Sequence, residues 1–198
     1  MKKLVLIILI LLSGCATTKS YTGPEELRVR SLKYAALVSY CMNDRIQVQI
    51  VLSDELNASM DADGNLALTE GLLKQNDPDA LYFFTAHEIA HKQLNHVRKR
   101  RGASLVTTGI MMVVGTLIPG AGILNHAINP AVVNNFSKPQ ELEADKLASQ
   151  TLVSCFNIPV DRQINLLYSM KARYPENGGF WSTHPSWDER IQNIQGMK

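Results

Sequence analysis

From Leu4 to Leu12 the chain is apolar without a break, and beyond Gly23 it changes to short segments with helical or alternating periods. Nine apolar residues are too few to cross a bilayer, which takes roughly 20. Pro24 suits a first helical position, Glu25 and Glu26 suit a first turn, and Leu27, Leu32, Ala35, Ala36 and Val38 supply apolar faces, so a helix is expected from Pro24 to about Met42. Ile46, Val48 and Ile50 alternate with Gln47 and Gln49, which predicts a strand over Ile46–Leu52. Asp61-Ala62-Asp63-Gly64-Asn65 is turn chemistry, and Leu66–Thr69 reads as the strand leaving it. Those aspartates lack the further ligands and the twelfth-position glutamate of a calcium loop. Asp77, Pro78 and Asp79 announce a second long helix, expected to run through Leu81-Tyr82-Phe83-Phe84 to about Arg100. Further helices are expected from near Pro139 to about Val153, from near Pro159 to before Tyr174-Pro175, and after Pro185. The pattern predicts one α+β domain over residues 24–198, mainly helical with a small sheet.

Leu105–Val133 stands apart as an unusually apolar stretch between two polar regions. Leu105–Ile118 is too short to span, Pro119-Gly120-Ala121-Gly122 breaks it, and Asn125, His126, Asn129 and Pro130 are costly in lipid. Two helices joined by a turn are expected here, either covering the core or active site or dipping into a membrane.

The start of the chain changes this picture. Lys2 and Lys3 precede the apolar run, which ends at Leu12-Ser13-Gly14-Cys15. A basic flank, a short apolar core and small residues form a secretion signal. Small residues leading directly to a cysteine resemble the lipobox of bacterial lipoproteins. That resemblance implies removal of residues 1–14, lipidation of Cys15 and a tether over residues 15–23. Several acyl chains on one residue anchor a protein stably without a spanning helix. Ala16 stands where an aspartate would imply retention in the inner membrane, so the expected location is the periplasmic face of the outer membrane.

The remaining 184 residues suffice for one sizeable core. The whole chain carries 20 basic and 18 acidic residues, and loss of Lys2 and Lys3 makes it formally neutral. Nothing in that balance argues for nucleic acid. Arg98-Lys99-Arg100-Arg101 is a short basic cluster, fit for a solvated helix end or for acidic lipid headgroups. With Cys15 lipidated, Cys41 and Cys155 are left as an even pair in an oxidising compartment, which permits a disulfide; two buried thiols are the alternative.

The chemistry concentrates at His87-Glu88-Ile89-Ala90-His91. On a helix, positions four apart share a face, so both imidazoles can reach one metal ion. Glu88 follows the first histidine, where a carboxylate can act on an attacking water. A catalytic zinc takes three protein ligands. Glu141 and Asp145 are four apart on the next helix, while Glu143 points elsewhere. Glu141 can complete the ligand set while Asp145 orients a ligating histidine. An acidic helix N-terminus, favoured by the dipole, is the plainer account of the same residues.

Together these pieces resemble a family of zinc metallopeptidases of the gluzincin type, the one that includes the heat-shock protease HtpX, the CAAX prenyl proteases and small periplasmic lipoprotein proteases. The resemblance covers residues from about 45 to 195 and keeps the family's order. Asn57-Ala58 and Leu68-Thr69-Glu70-Gly71-Leu72-Leu73 resemble the strand and turn before the zinc helix. His87-Glu88-x-x-His91, Glu141-x-x-x-Asp145 and Thr183-His184-Pro185 with Arg190 follow. The resemblance implies a zincin-like domain with one Zn2+ held by His87, His91 and Glu141, and Glu88 as catalytic acid and base. Asp145 would support the ligands. His184 would lie over the metal, stabilising an oxyanion or occupying the open coordination site in a latent state. Arg190 would position Glu or substrate carboxylates, or only pair with a nearby acid. His96 and His126 carry no motif and are expected to be structural. The strand at Asn57 and Ala58 offers an edge for an extended substrate.

The expected activity is metal-assisted endopeptidase cleavage of unfolded or misfolded envelope proteins. A chaperone-like or assembly lipoprotein with little proteolytic activity is the alternative reading.

Overall fold

A computed structural model describes residues 21–61, 63–99, 136–174 and 184–197. The expectations for the signal segment, Cys15, Leu105–Val133, His126 and Thr183 fall outside the described residues, as does most of the tether. Among the described residues no helix is long and apolar enough to cross a membrane.

Helix α1 (Glu25–Cys41) buries Leu27, Ser31, Tyr34, Ala35 and Val38, one face at helical spacing. It leads into a three-stranded sheet of β1 (Val48–Val51), β2 (Ala58–Met60) and β3 (Leu66–Thr69) in the order β1-β3-β2. β1 pairs parallel with β3, Val48 opposite Leu66, and β2 pairs antiparallel, Ala58 opposite Leu68. The central strand β3 is buried at all four positions, which explains its unbroken Leu-Ala-Leu core. The expected turn joins β2 to β3: Gly64 takes a positive φ of 83°, and one Asp61 carboxylate oxygen accepts from the backbone N–H groups of Asp63 and Asn65.

After β3, where the resemblance implies a turn, the chain forms a short helix, α2 (Glu70–Lys74). Thr69 caps it. Its hydroxyl accepts from the Leu72 N–H at 3.3 Å and the Asn57 N–H at 3.0 Å, and sits 2.6 Å from the Glu55 carbonyl oxygen. Gly71 follows because the chain ahead of β2 crosses directly over it: its N–H donates to the Ser53 carbonyl at 2.9 Å. A Cβ there would overlap the backbone oxygens of Asp54 and Glu55. Gly71→Ala is therefore expected to cost about 1–3 kcal/mol, read as a lower urea midpoint at unchanged slope; an unchanged midpoint would show that this crossing yields freely.

The helix α3 (Pro78–Gln93) starts as predicted, with the Asp77 carboxylate accepting from Asp79 and Ala80 N–H and Pro78 in the first turn. It does not run to Arg100. Asn95 adopts a left-handed φ of 59°, ending the helix at Gln93, and residues 96–99 resume as a separate helical turn. Helix α4 (Lys138–Phe156) packs along α3 more extensively than any other described pair of elements. It ends at left-handed Asn157. Helices α5 (Val160–Arg173) and α6 (Trp187–Gln195) close over it, with the Trp187 indole N–H donating to the Tyr174 carbonyl at 3.0 Å. Cys41 at the end of α1 is disulfide-bonded to Cys155 at the end of α4, with Cα atoms 6.2 Å apart. The architecture is α+β and mainly helical, and its core lies between the sheet, α3 and α4.

Candidate metal centre

Eleven residues of α3 are buried, including His87, Glu88 and His91. Such a helix is sealed on nearly every side, so each polar group on it must find a partner. His87 and His91, one turn apart, bring their Nε2 atoms to 3.1 Å from each other. Glu141, in the first turn of α4, brings one carboxylate oxygen to 3.3 Å from the His87 Nε2 and the other to 3.5 Å from the His91 Nε2. One donor atom from each of the three residues falls within 4.8 Å of the others, and all three residues are buried. Among the described residues this is the group of histidine and carboxylate side chains that could hold a metal ion.

The backs of the two imidazoles are also occupied. The His87 Nδ1 lies 2.9 Å from an Asp145 carboxylate oxygen, and the His91 Nδ1 lies 3.1 Å from the Nδ1 of His96. Asp145 is fixed in turn by Arg190, whose Nε and Nη2 donate to its two oxygens at 2.9 and 2.6 Å. Arg190 is 1 % exposed and rests on the faces of Trp187 and Phe83. Its Nε and Nη2 are engaged by Asp145, so in this structure Arg190 pairs with a nearby acid.

Charge balance in this cluster follows from burial and neighbours. Burial disfavours a charged His87, yet its hydrogen bonds to Asp145 and Glu141 outweigh this and hold the imidazole pKa up at about 10. Burial dominates at His91 and pushes its pKa down to about 3. For Asp145 burial raises the pKa, but the charge and hydrogen bonds of Arg190 prevail and bring it to about 2. Glu141 is held far below the usual carboxylate range: burial opposes this, and His184, His87 and His91 outweigh burial. A divalent ion suits this place: Arg190 already answers the charge of Asp145, so the ion would answer that of Glu141 and take the facing imidazole nitrogens as ligands. Two imidazoles, each supported from behind, and one carboxylate are the chemistry of a three-ligand transition-metal site.

His184 precedes α6 and its Nδ1 approaches the Glu141 Oε2 at 2.5 Å, with its ring 6.0 Å from that of His87. The helix is capped by Ser186 instead, whose hydroxyl accepts from the Glu189 N–H, so His184 is not an exposed capping residue. Glu88 is 4 % exposed, on the same helix as both histidines. The segment of Asn57 and Ala58 enters β2, an edge strand packed on α3. His96, expected to be structural, packs behind one of the two histidines of α3. It is fully buried and touches both His91 and Glu143. Reading α3 as unbroken hid this contact, and Asn95 was the sequence signal that could have exposed it.

The curated protein "Metalloprotease LoiP" of Escherichia coli (strain K12) is 23 % identical to this chain over 155 residues, 76 % of the chain. The chain spans 62 % of the length of that relative. The family model described as Peptidase family M48 matches residues 25–198, a stretch that carries both histidines of α3, the three acids of α4, His184 and Arg190. The buried histidine-carboxylate cluster therefore lies within a family-wide match, and the chain belongs to peptidase family M48.

Proposed function

We propose that the protein is a zinc metalloendopeptidase that hydrolyses peptide bonds of unfolded or misfolded envelope proteins. The observation that carries this reading is the convergence of His87, His91 and Glu141, with Glu88 buried on the same helix. The protein's own nitrogen and oxygen donors suit zinc, and three protein ligands are the number a catalytic zinc takes.

When bound, the zinc ion supplies Lewis acidity to a water and to the scissile carbonyl. The side chains do the rest. His87, His91 and Glu141 hold the ion, while Asp145 and Arg190 keep His87 oriented. Glu88 takes the proton from the attacking water and returns it to the leaving amine. His184 stabilises negative charge developing on the carbonyl oxygen. Its contact with Glu141 also fits a resting arrangement in which it shields the site.

Substrate lies along β2 at Asn57 and Ala58. Among the described residues β2 pairs with β3 alone, so its other edge can accept an extended chain. Backbone pairing of that kind reads unfolded polypeptide and not a short side-chain motif. Lipid on Cys15 holds the enzyme to the periplasmic face of the outer membrane, a reading supported by Leu12-Ser13-Gly14-Cys15-Ala16.

Metal removal tests the proposal. Full-length protein in detergent is expected to carry one zinc per chain, to lose cleavage of an unfolded protein after chelation, and to regain it on adding zinc. Cleavage that survives complete loss of metal would sink the proposal. A zinc-loaded protein that binds unfolded chains and never cuts them would favour the chaperone-like reading.

A further inference from the structure

The three acids of α4 do not share one task. Glu141 faces the Nε2 atoms of His87 and His91, and Asp145 backs His87. Glu143, between them in sequence, faces another way, and its Oε2 lies 3.2 Å from the Nε2 of His96. His96 in turn presents Nδ1 to the Nδ1 of His91 at 3.1 Å. We propose that Glu143 and His96 form a relay that fixes the donor state of His91 and so positions it as a metal ligand. This rests on the metal-site reading above and assigns positioning roles to two further residues.

The direction of the relay follows from donor and acceptor chemistry. A carboxylate only accepts, so the hydrogen bond from His96 to Glu143 puts the proton of His96 on Nε2. The Nδ1 of His96 is then a lone pair and can only accept. His91 must donate through its own Nδ1–H, which leaves the Nε2 of His91 as a lone pair aimed at His87 and Glu141. The opposite arrangement would put an N–H into the site and remove one ligand. Neutral imidazole with its other nitrogen donating to a partner is how ligating histidines are normally held.

The local fold is built to make this contact. On a straight helix His96 would lie about 140° around the axis from His91, at 3.6 residues per turn. The left-handed Asn95 breaks the helix and returns His96 to the side of His91. Both rings are fully buried. Phe136 stacks on His91 with ring centroids 3.8 Å apart and planes inclined by 12°, so the ligand ring is fixed in plane as well as in tautomer. The two ligand histidines thus have separate supports: Asp145 and Arg190 behind His87, His96 and Glu143 behind His91.

The test is zinc affinity of the full-length protein, measured by competition with a chromophoric chelator, beside the visible spectrum of the Co2+-loaded form and a thermal melt. In His96→Asn the side-chain oxygen stands where Nδ1 stood and still accepts, so affinity is expected within a few-fold of wild type. His96→Leu removes the acceptor and is expected to weaken zinc binding about 10–100-fold and to shift the Co2+ bands. Glu143→Lys covers the case in which the leucine variant does not fold, because Glu143 is 61 % exposed. A lysine there donates to the Nε2 of His96, reverses the relay and is expected to give a similar 10–100-fold loss, measured in high salt to screen the added charge. Wild-type affinity in folded His96→Leu or in Glu143→Lys would overturn the relay and leave the metal site standing. Equal losses in His96→Leu and His96→Asn would overturn it as well, since the acceptor would then not matter. A wild-type protein that binds no zinc would instead remove the reading on which the relay rests.

Discussion

Glu88→Gln is expected to keep one metal per chain while cutting cleavage of an unfolded protein by about 10²–10⁴-fold, the range carried by a positioned acid and base. Glu88 is buried in α3 one residue past His87, and no described donor of the metal cluster comes from it. Glutamine has the same size and polarity, so the helix, the ligand set and the core around them should stay as they are. What it lacks is a basic oxygen to take a proton from water. Zinc content measured on the same samples makes the result decisive. Loss of cleavage with zinc kept assigns the base to Glu88, whereas equal cleavage by both proteins points to a contaminant or another mechanism and removes the central claim. Glu88 also helps hold Arg190 charged, a minor effect beside that of Asp145. The melting temperature of Glu88→Gln should accordingly move little.

Much of the fold could be read from single residues whose roles are local. Asp77 and Pro78 announce the start of α3 because a cap and a missing N–H act within one turn. Asp61 and Gly64 announce the turn between β2 and β3 for the same reason. The boundaries that were misjudged depend on distant neighbours. Asn95 can sit inside a helix or end one, and its left-handed state goes with the placing of His96 against His91. Glu70–Lys74 is too short for its periodicity to announce a helix, and what fixes it is the chain at Ser53–Glu55 crossing Gly71. The parallel pairing of β1 with β3, and the meeting of Cys41 with Cys155 at a separation of 114 residues, are products of the whole arrangement of elements.

The centre divides in the same way. His87 and His91 are legible because one helical turn places them together, whatever the rest of the chain does. Glu141 lies 50 residues beyond His91 and was found through its spacing to Asp145 and through family resemblance. Periodicity alone could not have chosen it over Glu143. Arg190 could be suspected from resemblance but not paired, since a buried arginine declares its partner only when α6 packs on α4.

Arg190→Met is expected to destabilise the protein by about 3–5 kcal/mol, the largest effect on stability foreseen from one side chain. Methionine keeps much of the volume against Trp187 and Phe83 and loses the fork. Asp145 is then a carboxylate with no exposed surface facing only His87, and an unpaired buried charge is what costs most. The companion variant Asp145→Leu with Arg190→Met separates two meanings of that loss. If the pair matters to folding as paired charge, removing both ends should restore most of the stability, because an apolar pair of similar volume is often neutral or better. The double variant still leaves the His87 Nδ1–H without its acceptor. Zinc affinity should therefore remain about 10–100-fold below wild type even as the melting temperature recovers. Recovery of both would show that Asp145 serves the fold alone, and recovery of neither would show that methionine and leucine cannot fill the space between α4 and α6.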